Sequence, residues 1–259
     1  MSGAGGDPII SVVPAAFRCE CAARSGAECF IVEATMPHLD RSALRARLIR
    51  AGLYVVTDDR HPPEERLRIV DLALAAGARV VQLRDKRSPG RALLKEALAL
   101  RELCERYDAL LIVNDRVDVA RGAEAHGVHV GQDDLPVEVA RAILGDDALV
   151  GVSASYVEEA VAAELAGADY VGFGAMYATD TKPDAEFAGP ALLRTVRQRV
   201  KLPLVAIGGI TLDRVPEVMA AGADLVAVVS AVFGSPDPAE ATRRLLATIE
   251  ASRVRETLS

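Results

Sequence analysis

Two carboxylates, Asp115 and Asp134, each stand just past a short apolar run, after Leu-Leu-Ile-Val-Asn and Gly-Val-His-Val-Gly-Gln-Asp. Two hard oxygen donors brought side by side suit Mg2+, which keeps several waters and completes its octahedron with phosphate oxygens of a ligand. The same residues could instead pair with Arg116 or cap helices, because Asp is a favoured helix N-cap. Three cations, Arg84, Lys86 and Lys182, also lie at the ends of apolar runs or in the loop that follows. Arg grips phosphate through two parallel hydrogen bonds and Lys acts as a movable point charge, so the set fits a polyanion larger than one phosphate. Gln82 and Asn114 add amides able to read the donor and acceptor edges of a heterocycle.

A second group of residues suits a single phosphate. Gly208-Gly209 lets backbone approach a ligand, and Val229-Ser230-Ala231 would present N–H groups at the start of a short helix. The bland alternative is that the glycines only turn the chain. Between these groups, the loop from Ala175 to Gly189 carries Thr179-Asp180-Thr181-Lys182-Pro183, hydroxyls beside a cation. It reads either as a cover over a ligand or as a surface excursion.

Eight β-branched runs must position these groups. They begin near Leu53, Arg79, Ala109, Gly127, Leu149, Tyr170, Leu204 and Leu225, about 25 residues apart on average. Between them lie Ala/Leu/Arg/Glu-rich segments of helical period, such as 88–106 and 216–221. The runs are apolar at nearly every position, as strands of a parallel sheet buried on both faces are. Ala-Gly-Ala at 76–78, 166–168 and 221–223 precedes three of them, the glycine supplying a left-handed helix stop. Eight strand-helix units in about 200 residues predict an α/β fold, a (β/α)8 TIM barrel, with catalytic groups at the carboxyl ends of the strands and a phosphate site after strands seven and eight. An open doubly wound sheet would instead carry a Gly-rich turn after its first strand, where Thr57-Asp58-Asp59-Arg60 stands. The expected division is an N-terminal extension at 1–51, disordered or weakly helical near 42–50, a catalytic barrel at 52–251 and a C-terminal tail at 252–259.

Composition bounds the rest. Of 259 residues 51% are hydrophobic, and 30 basic against 37 acidic residues give a formal charge of -7. No global field therefore favours nucleic acid or an anionic membrane. No apolar run approaches the roughly 20 residues of a membrane span, and the start lacks a signal-peptide pattern, so a cytoplasmic location is expected. Cys19, Cys21 and Cys29 with His38 match no usual zinc spacing, and Cys104 reads as buried packing. The sequence is compatible with a monomer or a homo-oligomer.

Seven short motifs, in order over about 200 residues, resemble those of the thiamine-phosphate synthase family: Gln-Leu-Arg-Asp-Lys (82–86), Asn-Asp (114–115), Val-His-Val-Gly-Gln-Asp-Asp-Leu-Pro (128–136), Gly-Val-Ser (151–153), Thr-Asp-Thr-Lys (179–182), Ile-Gly-Gly-Ile (207–210) and Val-Val-Ser-Ala (228–231). The resemblance implies condensation of a hydroxymethylpyrimidine diphosphate with a thiazole phosphate, carboxylated or not, to thiamine phosphate and pyrophosphate. It implies that the pyrimidine diphosphate lies against Gln82, Leu83, Arg84, Asp85, Lys86, Asn114, Ser153 and Lys182, with Mg2+ on Asp115 and Asp134. It implies a thiazole phosphate at Thr179, Asp180, Thr181, Gly209, Val229 and Ser230. Arg84, Lys86, Lys182 and Ser153 are then the candidate catalytic residues. Two departures stand out: Ala175-Met176-Tyr177-Ala178 where many relatives have Pro-Ile-Phe-Pro, and Ser153-Ala154-Ser155 where relatives often have Ser-x-His. The related thiazole tautomerase, thought to use that histidine, is the rival enzyme, and a non-catalytic phosphate-binding barrel the rival binding protein.

Overall fold

The computed structural model describes residues 40–178 and 187–257. Eight parallel strands form a closed barrel in sequence order: β1 Leu53–Val56, β2 Val80–Leu83, β3 Leu110–Asn114, β4 Gly127–Val130, β5 Leu149–Ala154, β6 Tyr170–Phe173, β7 Leu204–Ile207 and β8 Leu225–Val228. Closure is made by β1 on β8, with Leu53 opposite Val226 and Val55 opposite Val228. The helices are α1 Arg41–Ala51, α2 Pro63–Ala75, α3 Gly90–Arg106, α4 Val117–Gly122, α5 Val137–Leu144, α6 Val157–Leu165, α7 Gly189–Arg199, α8 Val215–Ala220, α9 Ser230–Phe233 and α10 Pro238–Thr257. The expected (β/α)8 barrel is thus the fold.

The two-residue strand period sorts the core into two layers. Val55, Val81, Leu83, Leu111, Val113, Val128, Val150, Val171, Phe173 and Val226 face the helices, where α3 meets them with Leu93, Ala97, Leu100 and Cys104. Tyr54, Val56, Val80, Leu110, Ile112, Leu149, Tyr170, Val205, Leu225 and Ala227 fill the barrel interior. Large and small residues alternate there: a β-carbon at Gly151 would meet Tyr170 Cζ at 2.1 Å, and one at Gly172 would meet His129 Cε1 at 2.8 Å. Gly77, Gly167 and Gly222 have φ of 113°, 83° and 99°, the left-handed stops read from Ala-Gly-Ala.

The packing draws boundaries other than the expected ones at 51 and 252. Helix α1, capped by Asp40 accepting from the Ala43 amide at 2.7 Å, sends Leu44 and Leu48 into the interior cluster with Tyr54 and Leu110. Two Leu four residues apart on one helical face supply the apolar surface that this cluster buries. At the other end α10 runs on to Thr257, inside the expected tail. Ser252 is buried, and Arg253 donates to the Ile49 and Arg50 carbonyls at the end of α1. The remainder of the extension, with Cys19, Cys21, Cys29 and His38, lies outside the described residues. Cys104 is buried and free, as expected.

Candidate active site

Strand alternation aims Gln82, Asn114, His129 and Ser153 into the barrel. With Arg84, Gly209, Val229 and Ser230 they line a cavity of about 150 Å³ at the carboxyl ends of the strands. Its floor is a continuous polar chain. Gln82 Nε2 donates to Tyr54 OH at 2.9 Å, the Tyr54 and Tyr170 hydroxyls are 2.9 Å apart, His129 Nδ1 lies 3.2 Å from Tyr170 OH, and His129 Nε2 lies 2.9 Å from Ser153 Oγ. Burial pushes both phenols above their ordinary pKa, so they stay protonated and serve as links. The chain fixes the orientation of the Gln82 amide and the Ser153 hydroxyl, the groups best suited to a planar heterocycle. Tyr54, Tyr170 and His129 were not among the expected site residues. Their signal was available, because each shares the inward parity of its strand.

Just past the ends of β3 and β4 the two expected acids meet. The Asp115 and Asp134 carboxyls are neighbours, Lys86 Nζ is 3.1 Å from Asp115 Oδ2, and Asp134 Oδ2 accepts from the Gly131 amide at 2.8 Å. Its own burial, then the neighbouring Asp134, raises the Asp115 pKa against the opposing pull of Lys86. Asp115 also has φ of 61°, a left-handed conformation that costs of order 1 kcal/mol outside glycine. The competing roles are not taken: Arg116 bonds Asp118 at 2.8 Å, and the helices that follow are capped by Arg116 and Pro136. Two hard, crowded oxygen donors fit a divalent cation. The described residues hold no cluster of three or more His, Cys, Asp or Glu, so such an ion would need water or phosphate to complete its shell.

The Gln-Leu-Arg-Asp-Lys run divides by parity. Gln82 and Arg84 line the cavity and Lys86 reaches the acid pair, whereas the side chains of Leu83 and Asp85 face the helices. Asp85 Oδ2 is 2.8 Å from Arg66 Nη2, and its oxygens accept from the Arg87 amide at 2.8 Å and the Ser88 amide at 3.0 Å. Burial opposes ionisation there, but these amides, the Ser88 hydroxyl and Arg66 outweigh it and hold the pKa at about 2. Leu83 and Asp85, expected to touch substrate, therefore do not present side chains to the cavity.

The expected phosphate cradle has a further structural reason for its glycines. A β-carbon at Gly208 would lie 2.7 Å from Ala175, and one at Gly209 only 2.4 Å from the Ala178 carbonyl, so the loops after β6 and β7 pass at van der Waals limits. Arg214 Nη1 donates to the Gly209 carbonyl at 2.6 Å, the Arg214 Cζ lies 4.3 Å from the centre of the Tyr177 ring, and Tyr177 OH donates to Glu217 at 2.7 Å. Val229 and Ser230 form the start of the short α9, the extra helix expected after strand eight. Thr179, Asp180, Thr181 and Lys182 lie outside the described residues.

A (β/α)8 barrel with an acid pair, a cationic strand end and a glycine cradle at the carboxyl face defines the class: enzymes acting on small phosphorylated substrates. The thiamine monophosphate synthase family profile matches residues 53–232, and the chain belongs to that family. It is 49% identical over 195 residues to a thiamine-phosphate synthase of Methanospirillum hungatei, covering 74% of this chain and 95% of that one. It is 47% identical over 210 residues to the thiamine-phosphate synthase of Chloroflexus aurantiacus, covering 80% and 97%. Among solved structures, the thiamine phosphate pyrophosphorylase of Pyrococcus furiosus superposes with a TM-score of 0.74 at 42% identity, covering 81% and 98%.

Proposed function

We propose that this chain is a transferase that joins a hydroxymethylpyrimidine diphosphate to a thiazole phosphate, giving thiamine phosphate and pyrophosphate. The observation that carries the reading is the meeting of Lys86 with the Asp115–Asp134 pair just past the ends of β3 and β4, close in sequence to the cavity-lining Arg84 and Asn114. Family membership and the full-length relatives support the same activity.

The chemistry assigns each group a task. The bond between the pyrimidine methylene carbon and the diphosphate oxygen breaks, and its electron pair leaves with pyrophosphate. The thiazole nitrogen lone pair then forms the new C–N bond at that carbon. No proton changes hands in bond making, so no general base is required. Negative charge gathers on the departing pyrophosphate, and Arg84, Lys86 and Lys182 stabilise it more in the transition state than in the substrate. Mg2+ held by Asp115 and Asp134 would neutralise the leaving group as a Lewis acid. Gln82, Asn114 and Ser153 orient the pyrimidine, and Gly209, Val229 and Ser230 with Thr179, Asp180 and Thr181 hold the thiazole phosphate.

The test is a balance sheet of products. Purified protein with Mg2+, pyrimidine diphosphate and thiazole phosphate is expected to yield thiamine phosphate and pyrophosphate in equal amounts, and neither after metal removal. Isomerisation of a thiazole phosphate with no thiamine phosphate formed would replace the reading with the tautomerase.

A further inference from the structure

The buried ion cluster behind the β2 loop has no part in the chemistry described so far. Arg66 on α2 and Glu96 on α3 are both buried, and Arg66 joins them to Asp85. Arg66 Nε donates to Glu96 Oε1 at 2.7 Å, Nη2 contacts both Glu96 Oε2 and Asp85 Oδ2, and Nη1 donates to the His61 carbonyl at 2.9 Å. Burying such a triad is costly, and apolar residues of similar volume often replace one without loss of stability. A role in stability alone therefore explains it poorly.

Its location supplies another role. Asp85 sits between Arg84 and Lys86 and turns to Arg66, while Arg84 lines the cavity and Lys86 reaches Asp115. The short segment that carries both cations is thus gripped from behind. At its start the buried Thr57 hydroxyl accepts from the Arg84 amide at 2.8 Å and donates to the Arg84 carbonyl at 3.1 Å. At its centre Arg66 holds the Asp85 carboxylate, which in turn receives the Arg87 and Ser88 amides and the Ser88 hydroxyl. Lys86 is half exposed and has a long, flexible stem, so its place opposite Asp115 depends on where its backbone is held.

We propose that Arg66 is a positioning residue for diphosphate binding: through Asp85 it fixes the backbone from which Arg84 and Lys86 reach the leaving group. The inference rests on the diphosphate reading of those two cations. It makes the cluster selective between substrates, because the residues assigned to the thiazole phosphate follow β6, β7 and β8, with no member in this cluster.

The test compares Arg66→Met and Asp85→Asn with wild type. The second variant leaves the Arg66–Glu96 pair in place and keeps an acceptor for the Arg87 and Ser88 amides, so it serves even if the first does not fold. Misplacement by about 1 Å can cost about 100-fold, so kcat/KM for the pyrimidine diphosphate is expected to fall about 10- to 100-fold. KM for the thiazole phosphate should stay at its wild-type value, and calorimetric binding of inorganic pyrophosphate should weaken in parallel with the pyrimidine diphosphate. Folded variants that bind pyrophosphate as wild type does, losing only melting temperature, would overturn the proposal. So would an equal loss toward both substrates. A wild-type chain that ignores pyrophosphate overturns the diphosphate reading itself, a separate and visible failure.

Discussion

The two ends of the barrel use the same residue types to opposite effect. At the amino-terminal rim, Asp169 and Asp224 each precede an even-numbered strand and accept the amide of a residue starting the strand before it, Val150 at 2.7 Å and Leu204 at 2.8 Å. Each also meets an arginine, Arg141 at 2.6 Å and Arg197 at 2.9 Å. His126 fills the equivalent position before β4, its Nδ1 accepting from the Leu111 amide at 3.0 Å. All three return a backbone amide to the carbonyl of the same residue, a repeated clasp between neighbouring strands. At the carboxyl rim Asp115 and Asp134 instead face one another with a half-exposed lysine beside them. Satisfied acids stitch the barrel shut, while crowded acids keep a demand for positive charge that a divalent cation would meet.

Substitutions should therefore separate rate from stability according to the rim they touch. The largest effect is expected at the carboxyl rim: Arg84→Ala, Lys86→Ala or Lys182→Ala should lower turnover about 100- to 1000-fold. Melting temperature should barely move, and steady-state kinetics with thermal scanning checks both. Next, Asp169→Ala removes a buried carboxylate with its bonds to Arg141 and the Val150 amide and should cost about 3 kcal/mol in denaturant unfolding, with kcat nearly unchanged in the fraction still folded. A large drop in kcat there would blur the division between the rims.

The smallest effect around neutral pH is a pH dependence. Burial first, then Arg101 and Arg47, depresses the His126 pKa from 6.5 to about 3. The unfolded chain takes up this proton near pH 6.5 and the folded chain only near 3. The stability that the neutral ring supplies is therefore complete above 6.5 and is lost as pH falls from 6.5 toward 3, at up to about 1.4 kcal/mol per unit. His126→Asn keeps an acceptor for the Leu111 amide and does not titrate, so its acid limb should be shallower than that of wild type. Parallel limbs would remove His126 from the clasp.

The strand starts, the closed parallel barrel and the placement of polar groups at strand ends were legible because each depends on local pattern: unbroken apolar runs, glycine stops and a regular repeat. Gln82, Arg84, Asn114, Ser153, Gly209, Val229 and Ser230 were legible as cavity residues for the same reason. Parity within the strand could also have separated Gln82, Arg84 and Lys86 from Leu83 and Asp85, and would have pointed to Tyr54, His129 and Tyr170. The Arg66–Glu96–Asp85 cluster was not legible, because its members stand on separate elements and meet only through the packing of α2, α3 and the β2 loop. The two leucines of α1 were hidden differently: a helix with little amphipathic pattern gives no sign that a barrel interior awaits one of its faces.

The central claim is that the carboxyl-rim acids hold the metal that makes pyrophosphate a leaving group. Its most direct test is turnover against Mg2+ concentration, both substrates saturating, for wild type, Asp115→Asn and Asp134→Asn. The account predicts that each variant needs more Mg2+ for half-maximal rate and reaches a lower maximum. Superimposable Mg2+ curves for all three proteins would contradict it.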